Sequence, residues 1–342
     1  MQFGKYRFFT SSPIQSKYYH TATYDQPALI FGTGGNASVH YCDEPFATST
    51  DCLVMYGVKE SNLELIYHYL QTNLHLLQAG FKGAGLQHIS KEYILDISID
   101  LPENNVQNHL LSEIRIIDSL IAARRNQLSK LDELVKSRFI EMFGTIRDNP
   151  YHFPTATLKE VCHKITDGKH GGCEQEADSG YYYVGAREIY EGAIHYDTAP
   201  QITYADFAKD YRRCNIEQGD MVIVNTGATI GKSAIASSPL TERTLLQKSV
   251  ALIKVKTNVI SAEFLRYCYM ANPSMYMVES ASAQPNLLLS KMNATVIYLP
   301  PMELQEQFAA FVEQTNKSKF EIQKSLEKLE TLKKALMQKY FG

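Results

Sequence analysis

The feature that most constrains this chain is a segment that occurs twice. Residues 101–144 recur as residues 299–342 in the same register and without a gap. Both copies begin with Leu-Pro and end with an aromatic residue followed by Gly, which are typical signals for the start and the end of a helix. The matched apolar positions include Leu110 and Phe308, Ile114 and Val312, Leu128 and Leu326, and Leu131 and Leu329. We therefore predict that one structural unit is used twice.

Apolar residues within each copy follow the alternating four-and-three spacing of a heptad. Neither copy contains a Pro or Gly between the start of its helix and the final Gly, so each is predicted to form one helix of about 40 residues, roughly 60 Å long. Polar residues interrupt the seam at Arg124, Arg138, Thr315, Lys319 and Lys333. We expect the two seams to pack on each other. Two unrelated surface helices would not explain why the two copies match without a gap.

Length and composition set the broad class of the protein. With 342 residues the chain is long enough for two domains with substantial cores. It has no apolar run long enough to span a membrane, and its first residues do not resemble a secretory signal. The six cysteines include no Cys-x-x-Cys pair, which argues against a zinc site or a disulfide framework and favours a reducing cytoplasm.

Two regions of mixed structure precede the two copies. Each shows a buried strand, a glycine-rich turn, further strands and a helix. The predicted strands lie at 28–31, 38–41, 52–56 and 94–99, then at 220–224, 232–236, 249–255 and 295–299, and the predicted helices at 63–77 and 264–276. The sequence thus predicts an α+β fold in four parts: a first mixed domain at 1–101, a long helix at 102–144, a second mixed domain at 145–299 and a second long helix at 300–342.

The two mixed regions differ at their starts. When Gly4-Lys5-Tyr6 is aligned with Gly180-Tyr181-Tyr182, residues 148–179 have no counterpart in the first region. That segment holds the apolar stretch 158–165 and the loop 167–172. We therefore expect the first domain to be incomplete at its front.

This order of domain, helix, domain and helix resembles the DNA-specificity subunits of type I restriction–modification systems. The resemblance is carried by the strand-turn-strand 222–236, with Thr226-Gly227 and Gly231-Lys232, and by its partner 30–39 with the turn 32–36. The steps Ile89-Ser90-Lys91 and Leu289-Ser290-Lys291, one before each Leu-Pro, belong to it as well. It covers nearly the whole chain.

The resemblance implies both a function and a set of partners. Each domain would read one half of a split target in double-stranded DNA. The helices would pack antiparallel as a spacer and dock methyltransferase (modification) subunits, and a restriction helicase-nuclease subunit would join through the complex. A helical rod of roughly 60 Å spans about 15 to 18 base pairs, which suits two short tracts separated by an unread gap. No membrane partner is implied.

The catalytic motifs that we considered are incomplete or absent in the sequence. Residues 227–233 resemble a phosphate-binding loop, but three residues separate the glycines where the loop needs four. The stretch 148–151 resembles the Asn-Pro-Pro-Tyr loop of amino-methyltransferases but lacks one Pro. The chain has neither a His-Glu-x-x-His metal motif nor a Gly-x-Ser-x-Gly elbow. We expect a non-catalytic subunit without a cofactor or a metal.

Contact with DNA is expected from polar residues in loops. Glycine turns let the backbone approach phosphate closely, Arg suits guanine, and Asn or Gln suits adenine. The candidates are Thr33, Asn36, Lys169, His170, Arg187, Thr226, Thr229, Lys232, Gln284 and Asn286. The net charge is −3, so affinity for DNA must come from local clustering or from a partner subunit.

Two other functions stay open at this point. The chain is alternatively a helical scaffold that binds proteins, with globular units that have decayed. A further alternative is the detached recognition half of another restriction enzyme. A gel-shift experiment with and without a methyltransferase partner separates the scaffold from the DNA-binding subunit.

Overall fold

A computed structural model describes residues 4–58, 62–85, 87–275 and 286–341. The chain divides into two compact units, which we call the first unit (residues 1–127 and 322–342) and the second unit (residues 128–321). Each unit holds a mixed domain and part of both long helices, so the predicted α+β class is confirmed. None of the described helices combines the length and the apolar character needed to cross a bilayer.

The mixed domain of the first unit is built on two small sheets. Its elements are β1 (Tyr6–Phe9), β2 (Lys17–Tyr19), β3 (Ala28–Gly32), β4 (Ser38–Cys42), β5 (Phe46–Thr48), β6 (Cys52–Tyr56), α1 (Leu63–Thr72), α2 (Leu74–Gln78) and α3 (Lys91–Leu95), followed by the long helix α4 (Asn104–Phe143). The first sheet has the order β2-β1-β5 and the second the order β4-β3-β6. The central strand β3 is buried along its whole length, as its uninterrupted apolar sequence predicts.

The second unit repeats this plan with additional elements. They are β7 (Thr155–Thr157), α5 (Leu158–Val161), β8 (Cys162–Asp167), β9 (Tyr182–Val184), β10 (Ile189–Tyr190), β11 (Ala193–Ile194), α6 (Tyr204–Asp210), β12 (Met221–Val224), β13 (Ser233–Ile235), β14 (Thr244–Leu246), β15 (Val250–Val255), α7 (Ala262–Ala271), α8 (Leu289–Ala294) and β16 (Val296–Tyr298), before the long helix α9 (Met302–Phe341). Its main sheet has the order β13-β12-β15-β8, and β7 pairs with β16.

The long helices pack antiparallel within the first unit. The Lys333 ammonium lies 2.6 Å from a carboxylate oxygen of Asp118, and Arg125 lies 2.8 Å from Glu330. Residue numbers therefore rise along α4 and fall along α9 from one pair to the next, as they do in antiparallel helices. Their apolar contact joins fully buried Leu110 and Ile114 of α4 to Met337 of α9.

The same arrangement holds within the second unit. Phe139 and Phe143 of α4 and Phe308 of α9 are fully buried, with ring centroids 5.3 and 5.6 Å from that of Phe308. Lys319 donates a hydrogen bond of 2.5 Å to Asp132. Of the other predicted seam residues in this unit, Val312 is buried and Leu128 and Leu131 are half-buried; in the first unit Leu326 is buried and Leu329 is half-buried.

Lys319 and Lys333, which interrupt the apolar heptads, each form an ion pair with the other long helix. Each ammonium reaches a carboxylate on α4, at Asp132 or at Asp118. Thr315 is buried, and its hydroxyl donates to the carbonyl of Phe311 one turn earlier in the same helix. The polar seam residues are therefore satisfied rather than left in an apolar contact.

Strand order and pairing show which residues of the two units are equivalent. Strand β3 pairs with β6 through Phe31 and Leu53, as β12 pairs with β15 through Ile223 and Ala251. The parallel pair β1-β5 corresponds to the parallel pair β9-β14. These pairings make Arg7 the equivalent of Tyr182, whereas the sequence alignment had placed Tyr6 at that position.

Three expectations for single elements are wrong. The predicted helix 63–77 is broken at Asn73, whose backbone (φ −116°, ψ 41°) leaves the helical region, while its N–H and its side-chain amide both donate to the carbonyl of Tyr69. The predicted strand 94–99 does not form, because residues 94 and 95 belong to α3, which Ser90 caps, and residues 96–99 pair with no strand among the described residues. The two Leu-Ser-Lys-like steps are not equivalent, since Ser90 caps α3 whereas Ser290 lies inside α8.

The predicted helix 264–276 is observed as α7, which begins at Ala262 and ends at Ala271. Its hydrogen-bond cap is Ser261, whose side chain accepts from Phe264. Tyr276 lies outside the described residues. The predicted strand 295–299 is observed as β16.

Candidate nucleic-acid interface

A turn between β12 and β13 forms the base of the site in the second unit. The backbone N–H of Val224 donates to the carbonyl of Lys232, and the N–H of Gly231 donates back to the carbonyl of Val224. Gly227 and Gly231 have φ values of +100° and +90°, which L side chains rarely adopt. The two glycines thus allow a tight turn that carries the candidates Thr226, Thr229 and Lys232.

Two other segments of the chain meet this turn. The N–H of Asn225 donates to the carbonyl of Ser249 at 3.0 Å, and the N–H of Leu287 donates to the carbonyl of Asn225 at 2.7 Å. Thr226 and Asn286 form a β-bridge, and the Thr226 hydroxyl donates to the Asn286 side-chain oxygen at 3.2 Å. Residues far apart in the chain are thereby brought to one edge of the domain.

A cavity of about 240 Å³ opens at this edge. We call it the second-unit cleft, and it is lined by Lys169, Gly171, Tyr183, Thr226, Gln247, Lys248 and Ser249. The N–H of Lys248 donates to the carbonyl of Lys169 at 2.9 Å, which fixes the two loops to each other. Burial raises the pKa of Tyr183 to about 12, so its hydroxyl stays protonated and donates to the carbonyl of Gly171 at 2.6 Å.

Charge in the second-unit cleft is carried by a different lysine from the one predicted. The ammonium of Lys169 is largely buried and pairs with Asp210 at 2.7 Å and Asp206 at 3.6 Å. The hydrogen bond with Asp210 raises the pKa of Lys169. Its charge is therefore already neutralised inside the domain. Lys248 is exposed, and it has no ion-pair partner among the residues that the structure describes.

His170 belongs to a charged cluster beside the cleft. Asp167 accepts hydrogen bonds from His170 at 2.8 Å and from Arg213 at 2.5 Å. Burial opposes the ionised form of Asp167, but the bonds from Arg213 and His170 outweigh it and hold its pKa below the usual value. The imidazole and the guanidinium are both about half exposed, so the cluster presents the positive charge of Arg213 at the surface.

The remaining candidates of the second unit are spread out. Lys232 and Arg187 are exposed, and in the described part of the chain neither makes an ion pair. Arg187 lies on a separate short turn at 186–188, and Asn286 is exposed at the rim of the bridge. Gln284 lies outside the described residues.

The first unit has the same framework with different side chains. Gly34 and His88 form the bridge that Thr226 and Asn286 form in the second unit. The N–H of Thr33 donates to the carbonyl of Asp51 at 2.9 Å, and its hydroxyl donates to the same oxygen at 3.0 Å. Asn36 is exposed beside Gly35, whose φ is +83°.

The two frameworks differ in charge. Strand equivalence puts Asp51 at the position of Ser249 and Thr50 at the position of Lys248. The first unit therefore has an exposed carboxylate and no lysine where the second unit has a hydroxyl and an exposed ammonium. The turn of the second unit is therefore the more positive of the two.

Sequence reasoning did not find Gln247, Lys248, Ser249 or Arg213. The first three follow β14 directly, and the turn 247–249 lies across from the glycine turn only in the folded domain. The adjacent pair Arg212-Arg213 was a visible signal in the sequence, because two neighbouring arginines after a short helix are a local positive cluster.

Comparisons with known proteins add the following findings. Residues 2–132 and 151–334 match the family model described as type I restriction modification DNA specificity domain. The S subunit of a type I restriction-modification system from M. genitalium is similar, with a TM-score of 0.59 and 17% identity, covering 99% of this chain and 89% of that chain.

A second solved structure is described as the structural basis underlying complex assembly and conformational transition of the type I R-M system. A chain in it has a TM-score of 0.56 and 15% identity, covering 98% of this chain and 91% of that chain. At these identities the structural likeness concerns the fold alone.

Proposed function

Because the chain belongs to the type I restriction–modification DNA specificity family, we propose that it selects the DNA target of such a system and that the second-unit cleft reads one half of that target. Specificity subunits are not enzymes, so the chemistry lies with partner subunits. The proposed partners are double-stranded DNA, methyltransferase subunits and, through the complex, the restriction helicase-nuclease subunit. The proposed place of action is the cytoplasm.

The observation that carries the proposal is the set of groups around the second-unit cleft. Three chain segments bring Thr226, Gln247, Lys248 and Asn286 to one edge, with side chains that are partly or fully exposed. Amide side chains match the donor and acceptor pair of adenine, and an ammonium matches phosphate or guanine. Backbone hydrogen bonds hold the segments that carry these groups, and such a preformed arrangement reduces the entropy lost on binding.

We propose a lesser role for the first unit in reading DNA. Its equivalent turn carries Asp51, and Thr50 replaces the lysine. A carboxylate beside a phosphate backbone weakens binding unless another cation offsets it. Thr33 and Asn36 remain the candidates for contact in this unit, with a smaller expected effect.

The near-neutral chain is proposed to bind DNA weakly by itself. Its net charge is −3, so it neutralises few phosphates and its salt dependence is shallow. Methyltransferase subunits, docked on the helical segments 102–144 and 300–342, would hold the duplex against the domains at 1–101 and 145–299. Affinity and specificity then belong to the assembly.

The experiment uses the chain assembled with methyltransferase subunits of a type I system and measures methylation of defined DNA. Lys248→Ala and Asn286→Ala should each lower methylation at one half-site, by about 5-fold or more, a loss of about 1 kcal/mol. Lys159→Ala is the matched control, because Lys159 is exposed on α5 of the same unit and outside the cleft. Equal loss with the control variant, or no loss with either cleft variant, contradicts the proposal. If neither the chain nor the assembly shifts DNA in a gel, the result favours the alternative of a helical scaffold that binds proteins.

A further inference from the structure

The sheet β4-β3-β6 of the first unit has one strand fewer than its counterpart β13-β12-β15-β8 in the second unit. In the second unit β15 is a central strand, because β8 pairs antiparallel with it over residues 162–167. Its counterpart β6 lies at a sheet edge. Among residues 4–58, 62–85, 87–275 and 286–341, only β3 pairs with β6. Within the described part of the chain, one edge of β6 therefore has no partner strand for its backbone N–H and C=O groups.

The apolar side chains of β6 are also less buried than their equivalents on β15. In the second unit Ala251 and Ile253 of β15 are fully buried. Their equivalents on β6, Leu53 and Met55, are only partly buried. Tyr56 at the end of β6 is 50% exposed.

A second exposed segment lies just before α4. Residues 98–100 correspond to β16, which in the second unit pairs with β7. Ile297 of β16 is fully buried, whereas its equivalent Ile99 is partly exposed. The predicted strand at 94–99 fails for the same reason, since an extended segment without a partner strand has no ladder.

One continuous segment covers both places in the second unit. It consists of β7, α5 and β8, and it buries Leu158 and Val161 in the core. Its backbone is bonded at both ends: the N–H of Gly168 donates to the carbonyl of Val250 at 3.1 Å, and Pro154 accepts from the N–H of Leu299 at 2.7 Å. The molecule thus contains a filled version of the surface that the first unit leaves open.

We propose that the open surface of the first unit binds a separate polypeptide segment with the pattern of residues 153–168. Its C-terminal part pairs antiparallel with β6, so that the residue equivalent to Ile165 lies opposite Met55. Its short helical turn places two apolar side chains over Leu53 and Met55. Its N-terminal part pairs with residues 98–100. Main-chain bonds supply affinity and the alternate apolar side chains supply specificity, as in other additions of a strand to a sheet edge.

The test uses the full chain and a synthetic peptide of residues 153–168 with Cys162→Ser. Hydrogen exchange is followed at the amides of β6 and β15 with increasing peptide. The proposal expects exchange in β6 to slow about tenfold or more, while β15, which already has its partner, does not change. The control peptide carries Ile165→Pro and Thr166→Pro, which remove donors from the added strand, and should give no protection.

Three results overturn the proposal. They are no protection of β6 at any soluble peptide concentration, equal protection by the proline peptide, and protection that appears only in a dimer of this chain formed without peptide. A second measurement does not depend on the affinity of a separate peptide, because the segment is joined to the chain. Residues 151–179 are grafted before Gly4, and the grafted chain should melt about 4 °C or more above the same graft with the two prolines. Equal melting temperatures would also reject the proposal. Neither measurement involves DNA, so both outcomes are independent of the proposed target reading.

Discussion

Thr226 and Asn286 meet at the rim of the second-unit cleft, where the Thr226 hydroxyl lies 3.2 Å from the Asn286 side-chain oxygen. The bond joins the glycine turn after β12 to the residues before α8. It orients the Asn286 amide so that its nitrogen remains available to a ligand. Gly34 and His88 occupy the same places in the first unit, without a side-chain hydroxyl at Gly34. The bridge is common to both units, but its chemistry is not.

Removing the Thr226 hydroxyl should therefore weaken DNA binding without unfolding the domain. Thr226→Val keeps the shape and leaves the Asn286 amide unoriented, so we expect affinity of the assembly for its target to fall about 3- to 10-fold. The measurement is a binding titration at fixed salt, together with a melting curve. Thr257→Val is the control, since Thr257 is exposed in the same unit and does not line the cleft. A fall in affinity with Thr257→Val of equal size would contradict the assignment.

The helix seam makes a sharp contrast between two isoleucines. Ile114 is fully buried in the first unit, whereas Ile116, two residues later on α4, is 59% exposed. Ile114→Ala should lower the free energy of unfolding by about 2–4 kcal/mol because it leaves a cavity. Ile116→Ala should change it by less than about 0.5 kcal/mol. Chemical denaturation of both variants checks this, and equal effects would place the seam on the wrong face of α4.

The ion pair between Lys333 and Asp118 should fix the register of the helices more than their stability. The side chains are 24% and 37% exposed, so the pair is expected to contribute only about 0.5–1 kcal/mol. A double-mutant cycle with Asp118→Asn and Lys333→Met should give a coupling energy in that range. The exchanged variant Asp118→Lys with Lys333→Asp should recover most of the loss. Failure of the exchange to recover any stability would mean that the pair does not form in solution.

His68 should make the first unit sensitive to acid. Burial lowers its pKa to about 4, with the nearby Lys333 acting in the same direction and Asp118, at 3.8 Å, opposing both. The unfolded chain takes up a proton near pH 6.5 and the folded one only near pH 4. Stability is therefore complete above about pH 6.5 and falls between that value and about pH 4, by on the order of 2–3 kcal/mol.

The measurement is the free energy of unfolding from pH 7.5 to 4 for the wild type and for His68→Gln. The slope in this window should be smaller in the variant, because one proton-binding site of the unfolded chain is gone. His75→Gln is the control, since His75 is exposed on α2, and it should keep the wild-type slope. An unchanged slope in His68→Gln would show that another group controls the acid response.

Local patterns in the sequence were enough for the long helices and for the glycine turns. The heptads of α4 and α9 have no competing signal, and the turn at 225–231 needs only its glycines and the strands on either side. The strand predicted at 94–99 fails because its existence depends on a partner. In the second unit β7 supplies that partner to β16, and the described first unit has no equivalent.

The site was predictable only in part, for a physical reason. Thr226 and Asn286 stand beside Gly or Pro and are readable as loop residues, but Gln247, Lys248 and Arg213 gain their position from long-range contacts. The sequence also could not show that Asp206 and Asp210 neutralise Lys169. An exposed lysine and a paired one look the same until the loops are folded.

The central claim is that this chain sets the DNA sequence which a type I methyltransferase modifies, with the second unit reading one half of it. The most direct measurement maps methylated bases across a genome-sized DNA after modification by the assembly. Wild-type chain is compared with a variant in which Gln247, Lys248 and Ser249 are all changed to Ala. We predict one two-part motif for the wild type, and in the variant the loss or relaxation of one half with the other half kept. An unchanged motif in the variant, or a wild-type motif without two parts, would contradict the account.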